Sequence, residues 1–280
     1  MIRVVRGLSA TLSHTFYVDG VATDPAPDVA TVTITRDNGT IIVAAANTTN
    51  AGTGVVTYTL TPTETALLDR LTVAWTATVG GQVQTFTDVV EVAGDVLFTI
   101  AQAKATDGLA NKTPPQIIEK RTLVESLLEQ ACGVAFVPRY GKTTISGNSR
   151  AVIMLPPRVT AVRSVLLDGV AVAPSYLSTM RVLDSGELYY PSYWTAGYAN
   201  YTIAYEHGYS DGPERIAAGD AALSWAKKLL LSGPIDDRAL GVSNEFGTTM
   251  LSTPGMRGII AGIPSVDAFI QQYSLAVAVA

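Results

Sequence analysis

The sequence predicts an α+β chain in two domains: an all-β sandwich over residues 1–94, then a mainly helical domain over residues 95–280 with a small inserted β-sheet. Three observations carry this. Apolar and polar residues alternate with a period of two through a Thr-rich first part. The texture changes after Gly94. Two later segments are bracketed by helix start and stop signals, Thr113-Pro114 to Gly133 and Pro213 to Gly233-Pro234.

In the first part, Val32 and Ile34 alternate with Thr31, Thr33 and Thr35, and Asp37-Asn38-Gly39 separates them from Ile41-Ile42-Val43. An Asn-Gly pair between two such runs is a strong hairpin signal. Val55 to Leu60, Leu71 to Val79 and Val83 to Val92 read as further strands, the last two joined at Gly80-Gly81. Thr63 to Asp69 reads as one short helical turn. Six or seven short strands at this spacing suggest a sandwich, with Trp75 as its core aromatic.

In the second part, Asp95 is expected to cap a helix over about 95–105. Thr113, Pro114 and Gln116 form the start of the next helix, about 114–132, which Gly133 ends. Ile117, Val124, Leu128 and Ala131 form its apolar stripe, leaving Glu119, Lys120, Arg121, Glu125 and Glu129 to water. A β insertion follows over about 136–206: Phe136 to Ser146, Ala151 to Leu155, Val162 to Leu167, an Asp168-Gly169 turn into Val170 to Ala173, Leu188 to Tyr190, and Asn200 to Tyr205. A long helix, about 213–231, carries Ala217, Ala218, Ala221 and Ala222, which permit close approach of a neighbouring helix. Residues 234–262 lack periodicity and read as an arm of the kind ordered by a partner. A last helix covers about 264–273.

Composition excludes several classes. Net charge is −5; residues 1–94 hold 8 acidic and 4 basic residues, the remainder 16 and 15. Neither part has the basic excess of a nucleic-acid binder. A single cysteine, Cys132, forbids an internal disulfide and a cysteine zinc site. No leader-like apolar segment opens the chain, and no stretch of about 18 apolar residues suggests a membrane span.

Chemistry-bearing patterns are weak. Gly141-Lys142-Thr143 lacks the earlier glycine of a phosphate loop, since Phe136 stands there. Cys132 and His207 would make a nucleophile–base pair only if brought together. His14 and His207 are too few for a multi-histidine metal site. Asp236-Asp237 reads as a solvated loop pair. No enzyme, cofactor or metal is therefore expected. The aromatics Tyr189, Tyr190, Tyr193, Trp194, Tyr198 and Tyr201 suit core or protein contacts.

The ordered set Phe98-Thr99-Ile100-Ala101-Gln102-Ala103-Lys104, Leu128 to Arg139, Tyr201 to Tyr209, Ser252-Thr253-Pro254-Gly255 and Gly262-Ile263-Pro264-Ser265-Val266-Asp267 resembles the head-to-tail adaptors (connectors) of tailed double-stranded DNA phages infecting actinobacteria and related hosts. It spans about residues 95–273. The first part resembles the Ig-like modules that phages append to virion proteins. The resemblance implies a structural protein of the virion neck, assembled in the host cytoplasm. It implies a homo-oligomeric ring, usually of twelve copies, under the portal protein. The ring extends the channel for genomic DNA and docks the next neck (stopper) or tail-terminator protein. Another neck or tail component, or a surface-binding Ig-like adhesion module, stands as the alternative.

Six basic residues, Arg139, Lys142, Arg150, Arg158, Arg163 and Arg181, face only Asp168 within residues 139–181. Of these, Arg150, Arg158 and Arg163 are expected partner contacts for electrostatic reasons. Phe246, Met250, Met256 and Phe269, on the arm and last helix, are the expected apolar contacts.

Overall fold

Alternation becomes sheet in the first ninety residues. The computed structural model describes residues 2–27, 29–183, 185–231, 241–244, 247–250 and 260–274, and its fold is broadly α+β. The first ten strands are β1 (Ile2–Val5), β2 (Ala10–Thr15), β3 (Tyr17–Val18), β4 (Val21–Ala22), β5 (Thr31–Arg36), β6 (Ile41–Asn47), β7 (Thr49–Gly52), β8 (Val55–Leu60), β9 (Asp69–Val79) and β10 (Gln82–Ala93). They form a five-stranded sheet, β1-β10-β9-β5-β6, and a three-stranded sheet, β2-β8-β7; β3 and β4 pair apart. In β9 every second residue, from Leu71 through Val73 and Trp75 to Val79, is buried. These meet Leu12, Val56 and Leu60 of the smaller sheet in one core. Trp75 sits there as expected and donates Nε1–H to Asp88 Oδ2 at 2.9 Å. The sequence reading lacked β1 to β4 and β7, all short; β1 pairs parallel with β10, almost ninety residues away.

The helices are α1 (Ile100–Ala105), α2 (Pro114–Cys132), α3 (Pro174–Leu177), α4 (Pro213–Leu231) and α5 (Pro264–Tyr273). α1 begins later than expected, because Thr99 and Gln102 form a reciprocal capping box. Asp95 caps no helix and instead pairs with Arg215. α2 begins as expected, with Thr113 N–H donating to Gln116 Oε1 at 3.0 Å, and Gly133 ends it at φ 71°. Ile117, Val124, Leu128, Ala222, Trp225, Val266 and Ile270 form the helical core.

Between α2 and α4 lie β11 (Arg139–Gly147), β12 (Val152–Met154), β13 (Val159–Leu167), β14 (Val170–Ala171), β15 (Arg181–Val182), β16 (Glu187–Tyr189) and β17 (Gly197–His207). They make two sheets rather than the single one expected, β11-β17-β13-β14 and β12-β16-β15. Trp194, Tyr201, Ile203 and Leu188 fill the core they share. Phe136 and Val137 precede the strand and belong to the helical core. Where an unstructured arm was expected, β18 (Gly241–Asn244) and β19 (Gly247–Met250) pair antiparallel as a hairpin.

Candidate functional site

The most heavily charged buried place is where the first sheet meets α2. Arg3, from β1, reaches Glu91 Oε2 of β10 at 2.9 Å, Glu129 Oε2 at 3.7 Å, and Glu125 of α2. Arg139, at the start of β11, reaches the same Glu91 oxygen at 2.8 Å and Glu129 Oε1 at 2.5 Å. Glu125 is fully buried, at 0% exposure, and its Oε1 accepts the Leu97 N–H at 2.7 Å. The side chains of Arg3 and Arg139 are 4% and 2% exposed. Three carboxylates thus share two guanidiniums out of water.

This overturns one sequence expectation. Glu125 and Glu129 were assigned to water because charged helical residues usually stay there. Here partners from β1, β10 and β11 satisfy them. Burial and the neighbouring Glu91 push the Glu129 carboxyl above its ordinary value, although Arg139 and Arg3 pull it down. For Arg3, burial opposes the charge, but Glu91, Glu129 and Glu125 outweigh it and hold the guanidinium above its ordinary value.

Other bonds join the same two surfaces. Asp37, in the first hairpin turn, accepts from Tyr140 Oη at 2.9 Å and pairs with Lys142 Nζ at 2.8 Å. Partial burial raises the Asp37 carboxyl, but the bonds from Lys142 and Tyr140 outweigh it and leave the group below its usual range. Arg163 donates to Leu68 O at 2.5 Å and to Glu206 Oε1 at 2.7 Å. Gly94 N–H donates to Pro138 O at 2.8 Å. An open cleft of about 440 Å³ borders this junction, lined among others by Arg70, Glu129, Arg139, Tyr205 and His207.

The expected partner residues are therefore spread out. Four of the six basic side chains are engaged within the chain: Arg139, Lys142 and Arg163 in the junction, and Arg158 over the Tyr209 ring at 4.7 Å. Arg150 and Arg181 form no ion pair among the described residues. Phe269 is 8% exposed and packs on Phe136 and Tyr273, at 5.1 and 4.6 Å between ring centroids. Phe246, Met256 and Asp236-Asp237 lie outside the described residues. Met250 is the last residue of β19. Of the aromatic series, Trp194 and Tyr201 are core, whereas Tyr193 and Tyr198 are exposed.

Catalytic patterns find no support in this geometry. Gly141-Lys142-Thr143 lies within β11, an extended strand, not a loop around phosphate. Burial pushes the Cys132 thiol up to about 11, the opposite of an activated thiolate. Burial, with Arg139 nearby, lowers His207 despite Glu91. Among the described residues no group of three His, Cys, Asp or Glu is placed to hold a metal, and no helix is long and apolar enough to cross a membrane.

The helical layer keeps apolar residues on its outside. Ile118 and Leu123 of α2, and Ile216 and Leu231 of α4, are exposed. Between α4 and α5 a groove is lined by Ala217, Ala221, Ser224, Ala268 and Tyr273. Small residues there leave room for another helix or chain.

No protein-family model matches the chain, and no curated protein matches it. Among solved structures it is similar to a chain in the neck of an empty gene transfer agent particle computed with C6 symmetry, at 13% identity, covering 66% of this chain and 93% of that one, with a TM-score of 0.45. It is similar to a chain in the native neck computed with C12 symmetry, at 12% identity, 68% and 98% coverage and a TM-score of 0.43. A chain of the native gene transfer agent virion gives 11% identity, 66% and 93% coverage and 0.43. At these TM-scores the likeness carries no functional argument.

Proposed function

We propose that this chain is a structural virion protein, a head-to-tail adaptor that forms a homo-oligomeric ring of twelve copies beneath a portal. The ring extends the channel for genomic DNA without reading its sequence. Its far side docks the next neck (stopper) or tail-terminator protein.

One observation carries this reading. The residues that resemble the adaptor family are far apart in sequence, yet many converge on one core. Phe98, Leu128, Cys132, Phe136, Val266 and Tyr209 all lie in or against the helical cluster. The resemblance thus marks residues that pack together as one helical unit. The apolar residues left outside α2 and α4 give that unit faces to bury against unlike faces of a neighbour, as a closed ring requires. The solved chains described as parts of particle necks agree with this reading without carrying it.

Residues 1–94 are read as an Ig-like module. In support, β10-β9-β5-β6 and β2-β8-β7 follow the G-F-C-C′ and B-E-D orders of immunoglobulin sheets. In this reading Arg150, Arg158 and the arm residues Phe246, Met250 and Met256 serve as partner contacts, while Arg163 and Phe269 support the surfaces from within. Electron microscopy of purified necks, with native mass of the chain mixed with portal protein, tests the proposal. A ring of this chain at the portal is expected. A chain absent from particles, or monomeric in the presence of portal, refutes it.

A further inference from the structure

The longest strand of the first sheet is unpaired along two thirds of its outer edge. β10 has 12 residues, but β1 covers its outer edge only from Val90 to Ala93. Among the described residues, no backbone group of Gln82–Val89 has a partner on that side. An uncovered edge is a template for another strand, and folds usually blunt it with bulges, charge or shortness. The other edges here are blunted. β1 and β7 have 4 residues each, β6 is twice out of register with β5, and the 6 residues of β2 have polar Ser13-His14 near their middle. β10 holds an unbroken register with β9 and leaves Val83, Phe86 and Val89 exposed.

We propose that this edge joins two copies of the chain, Val83–Val89 of one pairing antiparallel with the same segment of the other about a two-fold axis at Phe86. The segment reads Val83-Gln84-Thr85-Phe86-Thr87-Asp88-Val89, a near palindrome. Antiparallel pairing about its centre sets valine against valine, threonine against threonine and phenylalanine against phenylalanine. Each of these pairs stabilises a sheet. The one break in symmetry, Gln84 opposite Asp88, places an amide donor against a carboxylate. Asp88 Oδ2 is taken by Trp75 Nε1 at 2.9 Å, while Oδ1 has no hydrogen bond among the described residues.

The palindrome lies wholly within the free edge. One step further, Gln82 would face Val90, which is already paired with Ile2 of β1. Phe86 lies across from Trp75 and so faces the core side, where it meets His14 at 4.9 Å and stays 41% exposed. Thr85 Oγ1 already contacts Thr76 Oγ1 at 3.2 Å, and an opposing Thr87 would continue that ladder. A foreign peptide would use the backbone edge but leave the palindrome without a purpose. The contact is isologous and closes on itself. It uses the sandwich edge and joins chains that are not neighbours in one ring, because ring neighbours are related by rotation about the ring axis and not by a two-fold between them.

The test uses the full chain carrying F86C, oxidised and run without reductant; Cys132 is buried and leaves a clean background. F86C is expected to give a covalent dimer, since directly opposed residues lie within disulfide reach. T72C, exposed on the adjacent β9, is expected to stay monomeric. Adding T85K/T87K opposes lysine with lysine twice and should cut the dimer yield about tenfold. Adding T85K/T87E instead opposes lysine with glutamate and should restore it, which separates pairing from folding. No dimer from F86C, equal yields from the two charge variants, or crosslinking only to another virion protein would each overturn the proposal.

Discussion

Replacing Arg3 by methionine removes a charge while keeping most of the buried stem. In the wild type Arg3 serves Glu91, Glu125 and Glu129. Without it, Arg139 is the ion-pair partner left to Glu91 and Glu129 among the described residues, and Glu125 keeps the Leu97 N–H and the more distant charge of Arg121. Removing one partner of a buried ionic group costs about 3–5 kcal/mol, because the remaining charge loses its compensation. We expect R3M to lose about 3 kcal/mol at pH 7, measured by urea unfolding followed through tryptophan fluorescence. The exposed neighbour Arg6 gives the baseline: R6M should stay within about 0.5 kcal/mol of wild type. The loss should shrink at acidic pH, because burial already holds the Glu129 carboxyl above its ordinary value and protonation removes its unpaired charge. R3M/E125Q should recover part of it, since glutamine still accepts the Leu97 N–H without the stranded charge. A loss from R3M below about 1 kcal/mol, or one equal at pH 5 and pH 7, would refute the reasoning.

Two further outcomes follow from local geometry. Glycine to alanine inside a helix ordinarily stabilises by about 1 kcal/mol, but a Cβ on Gly219 of α4 would stand 2.7 Å from Leu97 O. G219A should therefore lower the melting temperature, and a rise would show that the α4 contact with Leu97 is looser than described. His207 is held below its ordinary value of 6.5 by burial and by Arg139. Its neutral form thus contributes stability that is complete above about pH 6.5 and lost as pH falls through the lowered value. Glu129, raised above 4.5, acts with the opposite sign, its charged form costing stability as pH rises. Comparing H207Q with wild type isolates the histidine arm: the variant's stability should fall less between pH 6.5 and 5, and parallel curves would remove His207 from the account.

Local signals were legible where they decide local structure. The Thr113 to Gly133 punctuation placed α2 to the residue, and the alternation from Val55 to Leu60 placed β8. The start of α1 was also written in the chain, as Thr99 and Gln102, but Asp95 offered a competing cap earlier. What the sequence hid was pairing at a distance. Arg3 and Glu125 are 122 positions apart. The helical spacing of Glu125 and Glu129 is that of a solvated face, and nothing near them in sequence announces the arginines that bury them. The apparent surplus of six basic residues misled for the same reason, because Asp37, Glu91, Glu129 and Glu206, together with the Leu68 carbonyl, engage Arg139, Lys142 and Arg163 from distant parts of the chain.

The junction explains why so many charges were moved indoors. An apolar seam between the first sheet and α2 would tolerate sliding, since apolar contact has no preferred direction. Charge-assisted arginine–carboxylate hydrogen bonds are directional. Glu91 Oε2 binds Arg3 and Arg139 at once, so β1, β10 and β11 meet at one atom. Glu125 then ties α2 to β1 on one oxygen and to Leu97 on the other. A shift of the sheet by one residue would strand several buried charges together, and the cost of each is several times that of a misplaced methyl group. The sandwich is thereby held at one angle to the helical layer. That rigidity fixes the direction in which the free β10 edge faces, which the proposed pairing with a second copy in a single register requires.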